Sequence, residues 1–182
     1  MATSTTRNTP REQINLGDLA AAARAIRGTP GNDRLEGDDG KDKIKGLGGD
    51  DRIEGDDGDD VLNGGDGNDR LEGDDGDDRI VGGKGDDRID GDDGDDVLTG
   101  GAGTDVFEFS TNDGQDTITD FERADFIRFS LDRDDTTPRS FEDLVFTESA
   151  QGTEIAFGRN GETIMLLGVG IDQINEAQFI FS

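Results

Sequence analysis

Cysteine, histidine, tryptophan and tyrosine are all missing from this 182-residue chain. Without cysteine there are no disulfides and no thiolate metal site. Without histidine the commonest general base and the usual zinc ligand are gone. Ser–His and Cys–His nucleophile systems and a His-Glu-x-x-His zinc helix are therefore excluded, and the chain is expected not to be an enzyme. Apolar residues are scarce, at 29%, and bases are few, 18 against 45 acids, for a net charge of −27. That balance describes a disordered chain unless something external supplies the missing folding energy. It also makes a poor nucleic-acid ligand, since the phosphate backbone repels it. No run approaches the roughly 20 apolar residues of a membrane span. Between Met1 and Gly28 the only apolar patch is Leu19–Ala23, followed by Arg24. A Sec signal would need a basic start and an apolar core of about 7–15 residues.

What the chain has instead is period. From Gly28 to Glu108 it divides into nine nonapeptides without insertion or deletion. The first position is always Gly, from Gly28 to Gly100, and so is the fourth: Gly31, Gly40, Gly49, Gly58, Gly67, Gly76, Gly85, Gly94 and Gly103. The sixth is always Asp: Asp33, Asp42, Asp51, Asp60, Asp69, Asp78, Asp87, Asp96 and Asp105. The eighth is always large and apolar, from Leu35 to Phe107. An acidic low-complexity tract has no reason to keep an apolar residue in nine-residue phase.

Each position has a physical reading. The glycines permit positive φ and close backbone approach, so the first six residues form a tight turn. The last three, such as Arg34-Leu35-Glu36, form a short strand with one residue directed inward. Such a strand is unstable alone, so successive units must stack to bury their Leu/Ile column. Even-numbered repeats all open Gly-Asp-Asp-Gly, while odd ones vary. This alternation predicts an 18-residue coil of two turn-strand units, hence an all-β parallel roll with two sheets. Nine repeats would make about four and a half coils, roughly 20 Å long.

The unit resembles Gly-Gly-x-Gly-x-Asp-x-apolar-x, the nonapeptide of RTX (repeats-in-toxin) proteins. Gly64-Gly65-Asp66-Gly67-Asn68-Asp69-Arg70-Leu71-Glu72 fits almost letter for letter, whereas Asp38, Leu47, Asp56, Asp74 and Asp92 replace Gly at the second position. The resemblance implies a right-handed roll that binds Ca²⁺. The ligands it implies are the nine sixth-position Asp residues, with backbone carbonyls near the fourth-position glycines. Ca²⁺ takes six to eight oxygen ligands, and carboxylates stacked one coil apart repel unless a cation lies between them. Pairing each repeat with the next but one (Asp33 with Asp51, Asp42 with Asp60, and onward to Asp87 with Asp105) gives about seven Ca²⁺ sites. Residues 28–108 carry 28 acids and nine bases, a charge of −19 that seven such ions would nearly cancel. The expectation is a chain unfolded without calcium and folded with it. Magnesium, which demands a rigid octahedron, suits such sites poorly.

The flanks divide the chain further. Residues 1–27 are read as a mobile N-terminus followed by a short helix over 15–27, with Leu16, Leu19, Ala23 and Ile26 on one face, capping the first coil. Residues 109–182 are read as a C-terminal antiparallel β cap. They open with a degenerate tenth unit, Gly114-Gln115-Asp116-Thr117-Ile118, which makes Asp116 a candidate extra ligand. Strand-like runs follow at 126–129, 154–157 and 163–166, with Asn160-Gly161 as a hairpin turn. The order 105–110, 114–121, 164–169 and 179–181 resembles the C-terminal domain of serralysin-type secreted proteins. That implies an uncleaved C-terminal signal, the type I secretion machinery as a partner, and a secreted, extracellular location.

The first expectation for function is therefore a secreted, monomeric, non-catalytic calcium-binding protein of the extracellular matrix or cell surface, favoured by Met1 and the helix. An accessory and export module of a secreted hydrolase or epimerase is the alternative. On odd repeats, Arg34, Arg52, Arg70 and Arg88 at position seven stand beside Glu36, Glu54, Glu72, Asp90 and Glu108 at position nine. These columns are expected to face outward and pair with each other. A ladder of these arginines for an anionic extracellular polysaccharide is the third reading.

Overall fold

The computed structural model describes residues 23–130, 138–158 and 161–182. It is a parallel β-roll of about six turns, all β apart from three short 3₁₀ turns among the described residues. The larger sheet has nine strands. In spatial order they are β1 (Ala25–Arg27), β3 (Lys43–Gly48), β5 (Val61–Asp66), β7 (Arg79–Lys84), β9 (Val97–Ala102), β11 (Gln115–Ile118), β15 (Glu162–Leu167), β14 (Gly152–Phe157) and β13 (Val145–Glu148). The smaller sheet has seven: β16 (Phe179–Phe181), β12 (Phe126–Phe129), β10 (Val106–Phe109), β8 (Arg88–Asp90), β6 (Arg70–Glu72), β4 (Arg52–Glu54) and β2 (Arg34–Glu36).

Inside the repeats the register is always 18 residues, Ile44 opposite Leu62 and Leu35 opposite Ile53. The coil is therefore two nonapeptides, as the Gly-Asp-Asp-Gly alternation requires. Eighth-position side chains from both sheets meet between them, and Ile44, Ile53, Leu62, Leu71, Ile80, Ile89 and Leu98 are fully buried. Each contributes about 1.5–3 kcal/mol of apolar burial. One such residue per nine is a thin core, which is why the edges of the roll matter.

The roll is longer than four and a half coils because it extends past the repeats at both ends. Ala25–Arg27 form a strand rather than the end of a helix. β1 pairs in parallel with β3, Ile26 opposite Ile44, and Ile26 packs against the core. Ile26 lies nine residues before Leu35, in phase with the repeat, and bonding to the next coil overrides its helical spacing. The remainder of that expected helix, 15–22, lies outside the described residues. At the other end both sheets continue without a break through residue 108. β11 and β12 add a further coil, and β15 and β16 add another, all parallel. Among the described residues only the β13–β14–β15 meander is antiparallel. Glu162 pairs with Phe157 across its hairpin; Asn160 in that turn lies outside the described residues.

Aromatic packing closes this end. Phe129 stacks on Phe181 at 5.6 Å and meets Phe157 at 4.9 Å, and Phe141 packs edge-on to Phe179 at 5.1 Å. Here the conventional core is thick enough to hold the last coils.

The second position is left-handed in both kinds of turn: Gly65, Gly83 and Gly101 have φ of 117°, 123° and 102°. Leu47 occupies the same place at φ 90°, a conformation that strains a residue with a Cβ. Leu47→Gly should therefore stabilise the calcium-loaded protein by about 1 kcal/mol, read as a higher denaturation midpoint. A lower midpoint would mean that the leucine side chain contributes more than its backbone costs.

Candidate metal centre

The sixth-position aspartates form two columns, one along each edge of the roll. In the odd column Asp33 N–H donates to Asp51 Oδ1, Asp51 to Asp69, Asp69 to Asp87, Asp87 to Asp105, and Asp105 to Asp125. In the even column Arg24 N–H donates to Asp42, and the chain continues through Asp60, Asp78 and Asp96 to Asp116. All these bonds measure 2.7–3.1 Å. Each carboxylate after Asp33 thus spends one oxygen tying its coil to the one before.

The other oxygen is the informative one. Oδ2 of Asp51, Asp60, Asp69, Asp78, Asp87, Asp96 and Asp116 is buried and accepts no hydrogen bond. At three of the four column ends the same atom is satisfied, Asp116 being the exception. Asp33 Oδ2 accepts from Thr29 N and Oγ1, Asp42 Oδ2 from Asp38 N, and Asp125 Oδ2 from Glu122 N. A buried carboxylate oxygen with no donor is costly, and seven recur at equivalent positions.

The first-position glycines explain what the space beside them is for. Their φ values are not left-handed; their role is close approach. A Cβ built on Gly37 would lie under 3.0 Å from both Asp42 Oδ2 and the carbonyl oxygen of Gly55 one coil on. The same pair converges beside Gly46 (Asp51, Gly64), Gly55 (Asp60, Gly73), Gly64 (Asp69, Gly82), Gly73 (Asp78, Gly91) and Gly82 (Asp87, Gly100). Fourth-position carbonyls stack similarly, Gly40 O against Gly58 and Gly49 O against Gly67. The donors gathered along each edge are all oxygens, the set a hard cation requires. Among the described residues no three acidic side chains gather into a cage. Each edge offers one free carboxylate oxygen per repeat, and main-chain carbonyls make up the rest.

Without a counter-ion, burial disfavours the charged form of these carboxyls. Burial, reinforced by neighbouring aspartates and opposed by the backbone hydrogen bond, pushes Asp51 and Asp105 up to about 6 and Asp60, Asp87 and Asp96 to about 7. Asp78 reaches about 8 and Asp116 about 9, while Asp69 and Asp125 are raised for the same reason.

Residues 26–53, 36–71, 45–79 and 72–107 match the RTX calcium-binding nonapeptide repeat, in four copies. The repeat region is an RTX array. RTX repeats bind calcium, and as a domain they are a non-catalytic module. No curated protein matches the chain significantly. Among solved structures, the extracellular lipase LipA of Serratia marcescens is similar at 18% identity and TM-score 0.42, over 91% of this chain. The chain spans only 41% of that lipase's length. The AlgE6R3 subunit of the Azotobacter vinelandii mannuronan C5-epimerase is similar at 20% identity and TM-score 0.27, over 93% of this chain and 86% of that one.

All nine sixth-position residues of the RTX array and Asp116 stand in the columns. Asp125 also stands there but is missed by the nonapeptide phase. It follows a two-residue insertion after Phe107, and its signal is the repeated Asp-x-apolar spacing, Asp125 to Ile127. A second ladder is also missed. Fifth-position side chains accept from the next coil, as Asn32 does from Asp50 N, Asp50 from Asn68 N and Asn68 from Asp86 N, at 2.9–3.0 Å. Its signal is Asn or Asp at seven of the nine fifth positions. The arginine column is self-paired: Arg34 meets Glu54 and Arg52 meets Glu72 at 3.0 Å, Arg128 meets Glu108 at 2.7 Å, and Arg70 and Arg88 bond Glu72 and Glu108.

Because folding raises these carboxyls above their ordinary 3.8, the metal-free roll is favoured below about pH 4, and that advantage is lost as pH rises through 6 to 9. In EDTA, far-UV circular dichroism should show more β-structure near pH 4.5 than near pH 8. The reverse order would contradict the burial of these groups.

Proposed function

We propose that this chain is a secreted, non-catalytic calcium-binding protein that folds when it meets extracellular calcium. The observation that carries the reading is the set of seven buried Oδ2 atoms without a donor, six of them (all but Asp116) directed at a space that only glycine leaves open. Asp51, Asp60, Asp69, Asp78, Asp87, Asp96 and Asp116 would supply one carboxylate oxygen each, and first- and fourth-position carbonyls would complete the oxygen set. Asp33 and Asp42 stand at the first ends of the two columns, and Asp105 hands the odd one on to Asp125 at its last end. Calcium supplies there the positive charge that the acidic edges lack.

Magnitudes make this a switch. With a dissociation constant near 0.1 mM per site, about 1 mM calcium contributes roughly 1.4 kcal/mol per site. Seven sites then contribute roughly 10 kcal/mol, as much as the whole stability of an ordinary domain. At submicromolar calcium they contribute almost nothing, so the chain would stay unfolded in the cytosol. That behaviour suits type I export through a C-terminal signal in residues 109–182, followed by folding outside the cell as a matrix or surface component.

Native mass spectrometry across a calcium titration should reach about seven bound ions. Asp78→Asn keeps the Oδ1 acceptor for Asp60 N–H but removes the free carboxylate oxygen. It should lose at least one ion and raise the calcium midpoint severalfold, while Asp33→Asn, at a column end, changes both less. One or two ions at saturation, or an Asp78→Asn protein indistinguishable from wild type, would overturn the assignment.

A further inference from the structure

The two sheets present opposite faces to solvent. On the smaller sheet the residues flanking the buried apolar position alternate arginine with acid, and they pair with each other. On the larger sheet the equivalent flanking positions of the parallel strands, from β1 through β15, carry no acid at all. In a chain with 45 acidic residues that face is set apart.

Its bases are concentrated at one end. Arg27 stands directly opposite Lys45 in the β1–β3 register, and Lys43 lies two residues along the same face of β3. Arg79 follows two strands on, opposite Val61. Arg27, Lys43, Lys45 and Arg79 are all exposed. Among the described residues none of the four forms an ion pair, although Arg24, Arg34, Lys41, Arg52, Arg70, Lys84, Arg88 and Arg128 all do. Like charges on neighbouring strands repel. Here they persist in a molecule with carboxylates to spare, beside the uncharged surface of Val61, Asn63, Val81 and Thr99.

We propose that this face, centred on Arg27, Lys43 and Lys45, binds a linear polysaccharide bearing carboxylate groups. The inference rests on the calcium-folded roll, because only the 18-residue coil brings Arg27 beside Lys45 and only bound calcium offsets the surrounding acid. The cations sit on an open sheet rather than in a cradle, so a lone small anion would be held weakly. A chain with a charge on successive units engages several cations at once, which multiplies weak contacts. Three or four separated cations match one charge per sugar. They do not match duplex DNA, with a charge every 1.7 Å or so, which would also face the net negative charge of the rest of the molecule.

The test uses the full chain in saturating calcium, with circular dichroism confirming that each variant folds. Binding to oligogalacturonate is measured by calorimetry at two salt concentrations, with dextran, duplex DNA and phosphatidylglycerol vesicles as the other arms. Wild type should bind oligogalacturonate and not dextran, DNA or vesicles, more weakly at higher salt. Lys43→Glu with Lys45→Glu should weaken it by about tenfold or more, and Arg52→Ala with Arg70→Ala, on the self-paired sheet, should leave it unchanged. Calcium bridging between two sets of carboxylates would instead survive or strengthen on charge reversal, and that outcome overturns the proposal. So does a folded wild type that binds no oligogalacturonate, or one that prefers DNA or vesicles. A chain that fails to fold in calcium contradicts the calcium reading itself, so the two failures are distinct.

Discussion

Everything in this structure depends on how one carboxylate per repeat is shared. Sixth-position Oδ1 accepts the amide of the preceding coil, which sets the spacing and register of the stack. Sixth-position Oδ2 is left buried without a donor. The first bond ties the coils together, and the second atom is a cost that the metal-free roll has to carry. A roll of this composition cannot offset that deficit with its core, since each nonapeptide contributes one apolar side chain. In the proposed function the missing free energy enters as positive charge at the edges, where an oxygen lining suits a hard cation.

The rest of the architecture follows from repetition of that unit. First-position glycines keep the space beside Oδ2 open, because any Cβ would fill it. The fifth-position ladder runs in the opposite sense to the sixth-position one, so each turn is held to both of its neighbours. At the ends the logic changes. Thr29 and Asp38 at one end and Glu122 at the other supply donors to the terminal carboxylates. The phenylalanine cluster then replaces ion-dependent stacking with ordinary packing. On the proposed reading, the molecule passes along its axis from a segment that needs an ion to one that does not.

Most of this was legible because a strict period leaves few alternatives. The 18-residue coil, the two parallel sheets and the aspartate columns all follow from glycine, aspartate and an apolar residue recurring at fixed offsets. What escaped lies where the period is broken or overlaid by another. Ile26 satisfies both a helical spacing and the nonapeptide phase, and only pairing with Ile44 decides between them. The insertion after Phe107 shifts β11 and β12 by two residues, so Asp125 falls out of phase while keeping its place in the column. Main-chain carbonyls carry no sequence signal, and which of them face the free carboxylate oxygens emerges only from the coil's geometry. The contrast between the two outer faces was half visible. The arginine–acid columns stand out in the sequence, whereas the acid-free face is marked only by what it lacks.

The proposed function requires that bound calcium, rather than the apolar core, makes the fold stable. Far-UV circular dichroism through a calcium titration starting in EDTA at neutral pH, with magnesium in parallel, tests it most directly. Expected is a coil spectrum at the start and a single cooperative rise in β-structure with calcium that magnesium does not reproduce. Stable β-structure in EDTA at neutral pH, unchanged by added calcium, would contradict it.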